Sequence, residues 1–122
     1  MLRVFCALLM AAAVTACAAS SFKSAYTAPE GKTLVVRPAE WAEYQTYLSM
    51  IGNTRQGAFV MHVIDGQSRA IHYSLCEYDT CYGGAAYPNA ALNICRREEQ
   101  GGECVLFASN REILVNYKRA AE

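Results

Sequence analysis

The chain has 122 residues, enough for one domain. Its 11 Lys and Arg balance 11 Asp and Glu, so no basic field exists to hold a nucleic-acid backbone, and nucleic acid is disfavoured as a partner on charge alone. A domain of this size is marginal on hydrophobic burial by itself, and cross-links are a common remedy that the 6 cysteines can supply.

Met1-Leu2-Arg3 is a short positive segment, and Val4 to Val14 is an apolar run. The run is too short to span a bilayer, which takes about 20 residues, and it fits a secretory signal. It leads into Val14-Thr15-Ala16-Cys17, which resembles a bacterial lipobox. The resemblance implies a signal peptide over 1–16, a diacylglyceryl thioether on Cys17 and cleavage just before it. Membrane lipid then becomes a partner through Cys17. Several acyl chains on one cysteine exceed the two-signal requirement for stable anchoring, at about 0.8 kcal/mol per buried CH₂. Ala18, a non-acidic residue after the lipidated cysteine, points to the outer membrane and a periplasm-facing domain. The alternative is plain secretion, since Ala16-Cys17-Ala18 also reads as a small-x-small cleavage site.

Residues 17–33 after the cut are small and polar, hold no period of 2 or 3.6, and predict a flexible tether. Leu34 to Val36 predicts a short strand, placed at a sheet edge. Pro38 suits a first helical turn. Trp41, Tyr44, Leu48 and Ile51 then recur at helical spacing, so a helix is expected over 38–51 with this stripe in the core and Gly52 at its end.

Two β-prone runs, Ala58 to Ile64 and Arg69 to Leu75, flank Asp65-Gly66 and predict a hairpin. A three-residue loop ending at Gly66 would set Phe59, Met61 and Val63 on a core face with Ile71, Tyr73 and Leu75. His62 and His72 then fall on the opposite, outer face. They are weak candidates for a shared metal, since two ligands make an adventitious site. Pro88 opens a second predicted helix, about 87–99, stopped by Gly101-Gly102. Cys104 to Ala108 and Glu112 to Lys118 predict a second hairpin around Asn110-Arg111. Its two-residue loop would place Cys104, Leu106, Ala108, Ile113, Val115 and Tyr117 on one apolar face. A frayed tail is expected over 119–122.

Cys6 lies in the signal and Cys17 in the lipobox, which leaves four cysteines and three possible pairings. The favoured one joins Cys76 to Cys81, closing a small loop, and Cys95 to Cys104, tying the second helix to the following strand. The spacings lack the C-x2-C knuckles of a zinc site and the C-x-x-C of a thiol–disulfide catalyst. Glu77, Tyr78, Asp79 and Thr80, inside the small cysteine loop, form the candidate contact surface. No H-E-x-x-H, G-x-S-x-G or phosphate-binding glycine loop is present. No cofactor and no catalytic residue are therefore assigned.

From Gly57 on, the Asp65-Gly66 turn, the four cysteines, Ala91-Leu92 and the two apolar runs Val105 to Ala108 and Ile113 to Val115 resemble a small cysteine-containing module of bacterial envelope and secreted proteins. That resemblance covers about half the chain and implies a compartment and a fold, with no catalytic group. The expectation is one disulfide-stabilised α+β domain over 34–118, built of two antiparallel β-hairpins, in one sheet or two, with two helices on one face. The expected role is a membrane-anchored, non-enzymatic binding or scaffolding lipoprotein whose partner is another envelope protein or component. The alternatives are a secreted binding or inhibitor protein without lipid, and an enzyme or metal-binding protein using His62 and His72.

Overall fold

The structure is a computed structural model that describes residues 22–53, 55–76 and 85–122. One sheet of six strands forms its frame, in the order β5-β4-β2-β3-β1-β6. The strands are β1 (Leu34–Val36), β2 (Gly57–Ile64), β3 (Gln67–Leu75), β4 (Glu103–Ser109), β5 (Glu112–Ile113) and β6 (Tyr117–Arg119). The helices are α1 (Pro38–Ile51) and α2 (Ala86–Glu98). The class is α+β, as the patterning predicts.

The two helices cover opposite faces of the sheet, not one. Tyr44, Tyr47 and Ile51 of α1 pack on Phe59, Met61, Val63, Val105 and Phe107. Ala91, Leu92 and Cys95 of α2 pack on Ala58, Val60 and Leu106. The reason is legible in β2. Its residues are apolar at both parities, and successive side chains of a strand point to opposite faces, so both faces need a cover. All but the last residue of β2 are buried.

The β2–β3 hairpin has the expected core face, with Phe59 opposite Tyr73 and Met61 opposite Ile71. The route to that register differs from the expected three-residue loop. Ile64 pairs with Gln67 across a two-residue turn, and both Asp65 and Gly66 take positive φ, which suits the right-handed twist of the flanking strands. A register shift after His62 then leaves Arg69 as an extra residue and restores the parity.

A second register shift lies between β2 and β4, where Phe59 pairs with Ala108 and Val60 with Leu106. Phe107 is the inserted residue, and the face changes there. Cys104 and Leu106 therefore face α2, whereas Ala108, Ile113 and Val115 join the α1 core. The single apolar face predicted for this hairpin is split by the bulge. The hairpin is also short. Ser109 pairs with Glu112 as expected, but β5 ends at Ile113, and the chain crosses to pair β6 in parallel with β1.

That crossover corrects three further expectations. β1 is an interior strand, flanked by β3 and β6 in parallel. Arg119 is the last residue of β6, its guanidinium lies 4.8 Å from the Trp41 ring centre, and the Ala120 N–H donates to the Val36 carbonyl, so the ordered edge runs past 118. Residues 22–33 are docked rather than a tether. Tyr26 is in the core, Thr27 bridges Val115, the Ala28 N–H donates to Leu114, and the Asn116 side chain donates to the Pro29 and Gly31 carbonyls.

In α1 the buried positions are Glu40, Tyr44, Tyr47 and Ile51, while Trp41 and Leu48 pack at the core margin. Buried Glu40 accepts from Arg37 Nε at 2.8 Å. The core stripe is rotated from the predicted one, with Tyr47 at its centre.

Candidate functional site: a shared carboxylate beside a polar groove

The expected pair of histidines does fall on one face of the β2–β3 hairpin. That face is covered by α2, so the pair is not on the outside. His62 is 3 % exposed. Its Nε2–H donates to the Gly101 carbonyl at 2.7 Å, which assigns the proton to that nitrogen. His72 Nε2 lies 2.9 Å from Glu99 Oε1 and donates to it. His62 Nδ1 faces the other oxygen, Glu99 Oε2, at 3.7 Å. One carboxylate thus stands between two imidazoles.

Local structure explains why Glu99 is there. It is the residue at which α2 ends, with extended backbone and its N–H still donating to Cys95. Gly101 and Gly102 follow with φ of 68° and 61°, the left-handed region open to glycine. They turn the chain back over His62 into β4. A side-chain carbon on Gly102 would collide with the Val63 carbonyl oxygen. Cys104, three residues after Gly101, bonds to Cys95 with a Cα–Cα distance of 6.1 Å. The expected Cys95–Cys104 disulfide is present, and it closes the same bend that delivers Glu99.

Above this cluster lies a groove of about 400 Å³, lined by Lys23, Arg96, Glu99, Gly101, Gly102, Glu103 and Cys104. Its charges are mixed. The Glu99 carboxylate is engaged by His72, while neither Lys23 nor Arg96 has an ion-pair partner among the described residues. Sequence pattern puts Lys23 in the expected tether and Glu99 at the end of the second expected helix. No local signal identifies either as a site residue, because both arrive through tertiary contacts.

His62 and His72 are brought together with a carboxylate, but no three His, Cys, Asp or Glu side chains converge as a metal-holding group among the described residues. The predicted contact residues Glu77, Tyr78, Asp79 and Thr80 lie outside the described residues, as do Cys17 and Cys81. Cys76 is buried and disulfide-bonded. No helix among the described residues is long and apolar enough to cross a membrane.

On the opposite face, burial raises the Tyr47 hydroxyl far above its ordinary range; the neighbouring Tyr44 adds to this and Arg111 opposes it. Burial likewise raises Tyr44. Both rings are packing elements. Comparison with protein families, curated proteins and solved structures returns no match. The chemistry of the groove is therefore read from its own side chains.

Proposed function

We propose that this protein is a lipid-anchored envelope module that acts by binding rather than by catalysis. The anchor rests on Val14-Thr15-Ala16-Cys17 behind an apolar signal-like run. A disulfide between Cys95 and Cys104 supports an oxidising compartment. The observation that carries the binding role is the state of the two histidines. Each commits Nε2 to a structural hydrogen bond, His62 to the Gly101 carbonyl and His72 to Glu99. Imidazoles so engaged hold the α2–β4 bend in place, and the groove above them offers charged side chains for contact with a ligand. Its partner is a component of the envelope, met through this groove or through the segment Glu77 to Thr80.

The test is the intact mass of the protein extracted from native membranes, with Cys17→Ser as the control. An acylated chain beginning at Cys17, and release or failed processing of Cys17→Ser, support the reading. An unlipidated soluble chain overturns the anchor and favours a secreted binding protein. Loss of function in His62→Gln and His72→Gln variants that keep native stability overturns the binding role in favour of catalysis.

A further inference from the structure

The position of the groove relative to the anchor has a geometric consequence, which rests on the lipidation proposed above. Only four residues, Ala18 to Ser21, separate Cys17 from Phe22. A chain of that length reaches at most about 18 Å even when fully extended. Phe22 is not loose. It packs on the α2 cluster beside Cys104 and Tyr87. Lys23, the next residue, lines the groove with Arg96 and Glu103. Every conformation of so short a connection holds this end of the domain near the bilayer, whereas Trp41 and Arg119 lie with α1 on the other face of the sheet.

We infer that the groove-bearing end of the domain, formed by Lys23, the end of α2 and the Gly101–Glu103 bend, docks on the phospholipid headgroup layer of the membrane that holds Cys17. The charges fit that occupant. Lys23 and Arg96 are unpaired among the described residues and meet the headgroup phosphate. Glu103 stands beside them to meet a headgroup ammonium. The exposed Gly101 and Gly102 let the backbone approach closely. Surface charges act over about 8–10 Å at physiological salt, roughly half the reach of the extended connection, so the two cations engage the headgroups when the connection is contracted. The module therefore presents its α1 face, with Trp41, Tyr117 and Arg119, to the aqueous side.

The experiment is amide hydrogen exchange on the full acylated protein reconstituted in phosphatidylethanolamine–phosphatidylglycerol vesicles, compared with the soluble Cys17→Ser chain mixed with the same vesicles. Slowed exchange is expected at Lys23 and at Gly101 to Glu103, with no change at Tyr117 to Arg119. Inserting about ten Gly and Ser residues between Ser20 and Ser21 about triples the extended reach, and it should abolish the protection while acylation and membrane fractionation persist. Lys23→Glu with Arg96→Glu should do the same without altering the fold. Protection on the Tyr117 side, or none in an acylated protein, overturns the orientation and leaves the anchor standing. Protection seen only in native envelopes and not in lipid vesicles assigns the surface to a protein and also overturns it. A chain without acyl groups overturns both readings, and the intact mass distinguishes that case.

Discussion

Glu99 Oε1 accepts a hydrogen bond from His72 Nε2 at 2.9 Å, joining the residue that caps the end of α2 to the middle of β3. The bond links two elements far apart in sequence, and both side chains are largely shielded, at 16 % and 26 % exposure. Hydrogen bonds to charged groups contribute about 1.5–3 kcal/mol when buried, and partial exposure brings this one to about 1 kcal/mol. Glu99→Ala and His72→Ala should each lower stability by about that amount. The double variant should cost clearly less than the sum, because the two side chains share one interaction. Urea midpoints with unchanged slope check this. Strict additivity would show that the pair is uncoupled.

Cys95 and Cys104 are 9 positions apart. A cross-link closing so short a loop removes chain entropy worth about 2–3 kcal/mol. Cys95→Ala with Cys104→Ala should therefore lower the unfolding free energy by about that much. It should also raise exchange at Glu99 and Gly101, since the bridge closes the bend that positions them. Paired alanine variants are the right probe, because reductant would also open the disulfide at Cys76.

Gly101 and Gly102 separate backbone strain from collision. Both have positive φ, but a Cβ on Gly101 meets nothing within 4 Å, whereas one on Gly102 runs into backbone at Val63 and into the Ile64 side chain. Gly101→Ala should cost about 1 kcal/mol from conformation alone. Gly102→Ala should cost at least about 2 kcal/mol more, because backbone atoms must move apart. Thermal unfolding of the two variants in parallel measures the difference.

Tyr47 is completely buried and donates to the Asn110 carbonyl at 2.7 Å. Its hydroxyl ionises in the unfolded chain near pH 10 but at higher pH in the folded one, because of burial. The unfolded state thus loses its proton first, and stability falls as pH rises above about 10. Tyr47→Phe should flatten part of that alkaline limb, with Tyr44 supplying the remainder. At neutral pH the same variant should be about 1 kcal/mol less stable through the lost hydrogen bond. Unfolding free energies between pH 7 and 11.5 test both signs.

Much of the frame was readable in local pattern. Helix α1 starts at Pro38 and ends before Gly52 because proline and glycine punctuate it there. The turn at Asn110-Arg111 pairs Ser109 with Glu112 as the strand pattern requires. The face that Phe59 shares with Tyr73 is the one alternation marks as apolar, and the register shift at Arg69 is what keeps it aligned across the two-residue turn. The split face of the β4–β5 hairpin has a local cause. A bulge such as the one at Phe107 adds a residue without changing composition, so strict alternation continued past it assigns Ala108 and Ile113 to the wrong face. The helix stripe missed Tyr47 because the α1 side of the sheet needed a second large ring beside Phe59, a demand set by a strand ten residues further on.

The candidate site was half legible. His62 and His72 could be put on one face of a hairpin from register, and Cys95 could be joined to Cys104 from the helix and strand they occupy. Glu99, Lys23 and the covering of His62 could not, since each depends on how separate elements pack.

The sequence by itself determined the α+β class, the punctuation of the helices and the places where the chain turns, because these follow from residue chemistry at short range, and it favoured the Cys95–Cys104 link among three pairings. Only the tertiary structure decided that α1 and α2 lie on opposite faces, that residues 22–33 join the domain, and that one carboxylate is held between two imidazoles beneath a charged groove. These depend on long-range burial. Apolar residues at both parities of β2 demand two covers, and which segments supply them is settled only when the whole chain competes for the same surface.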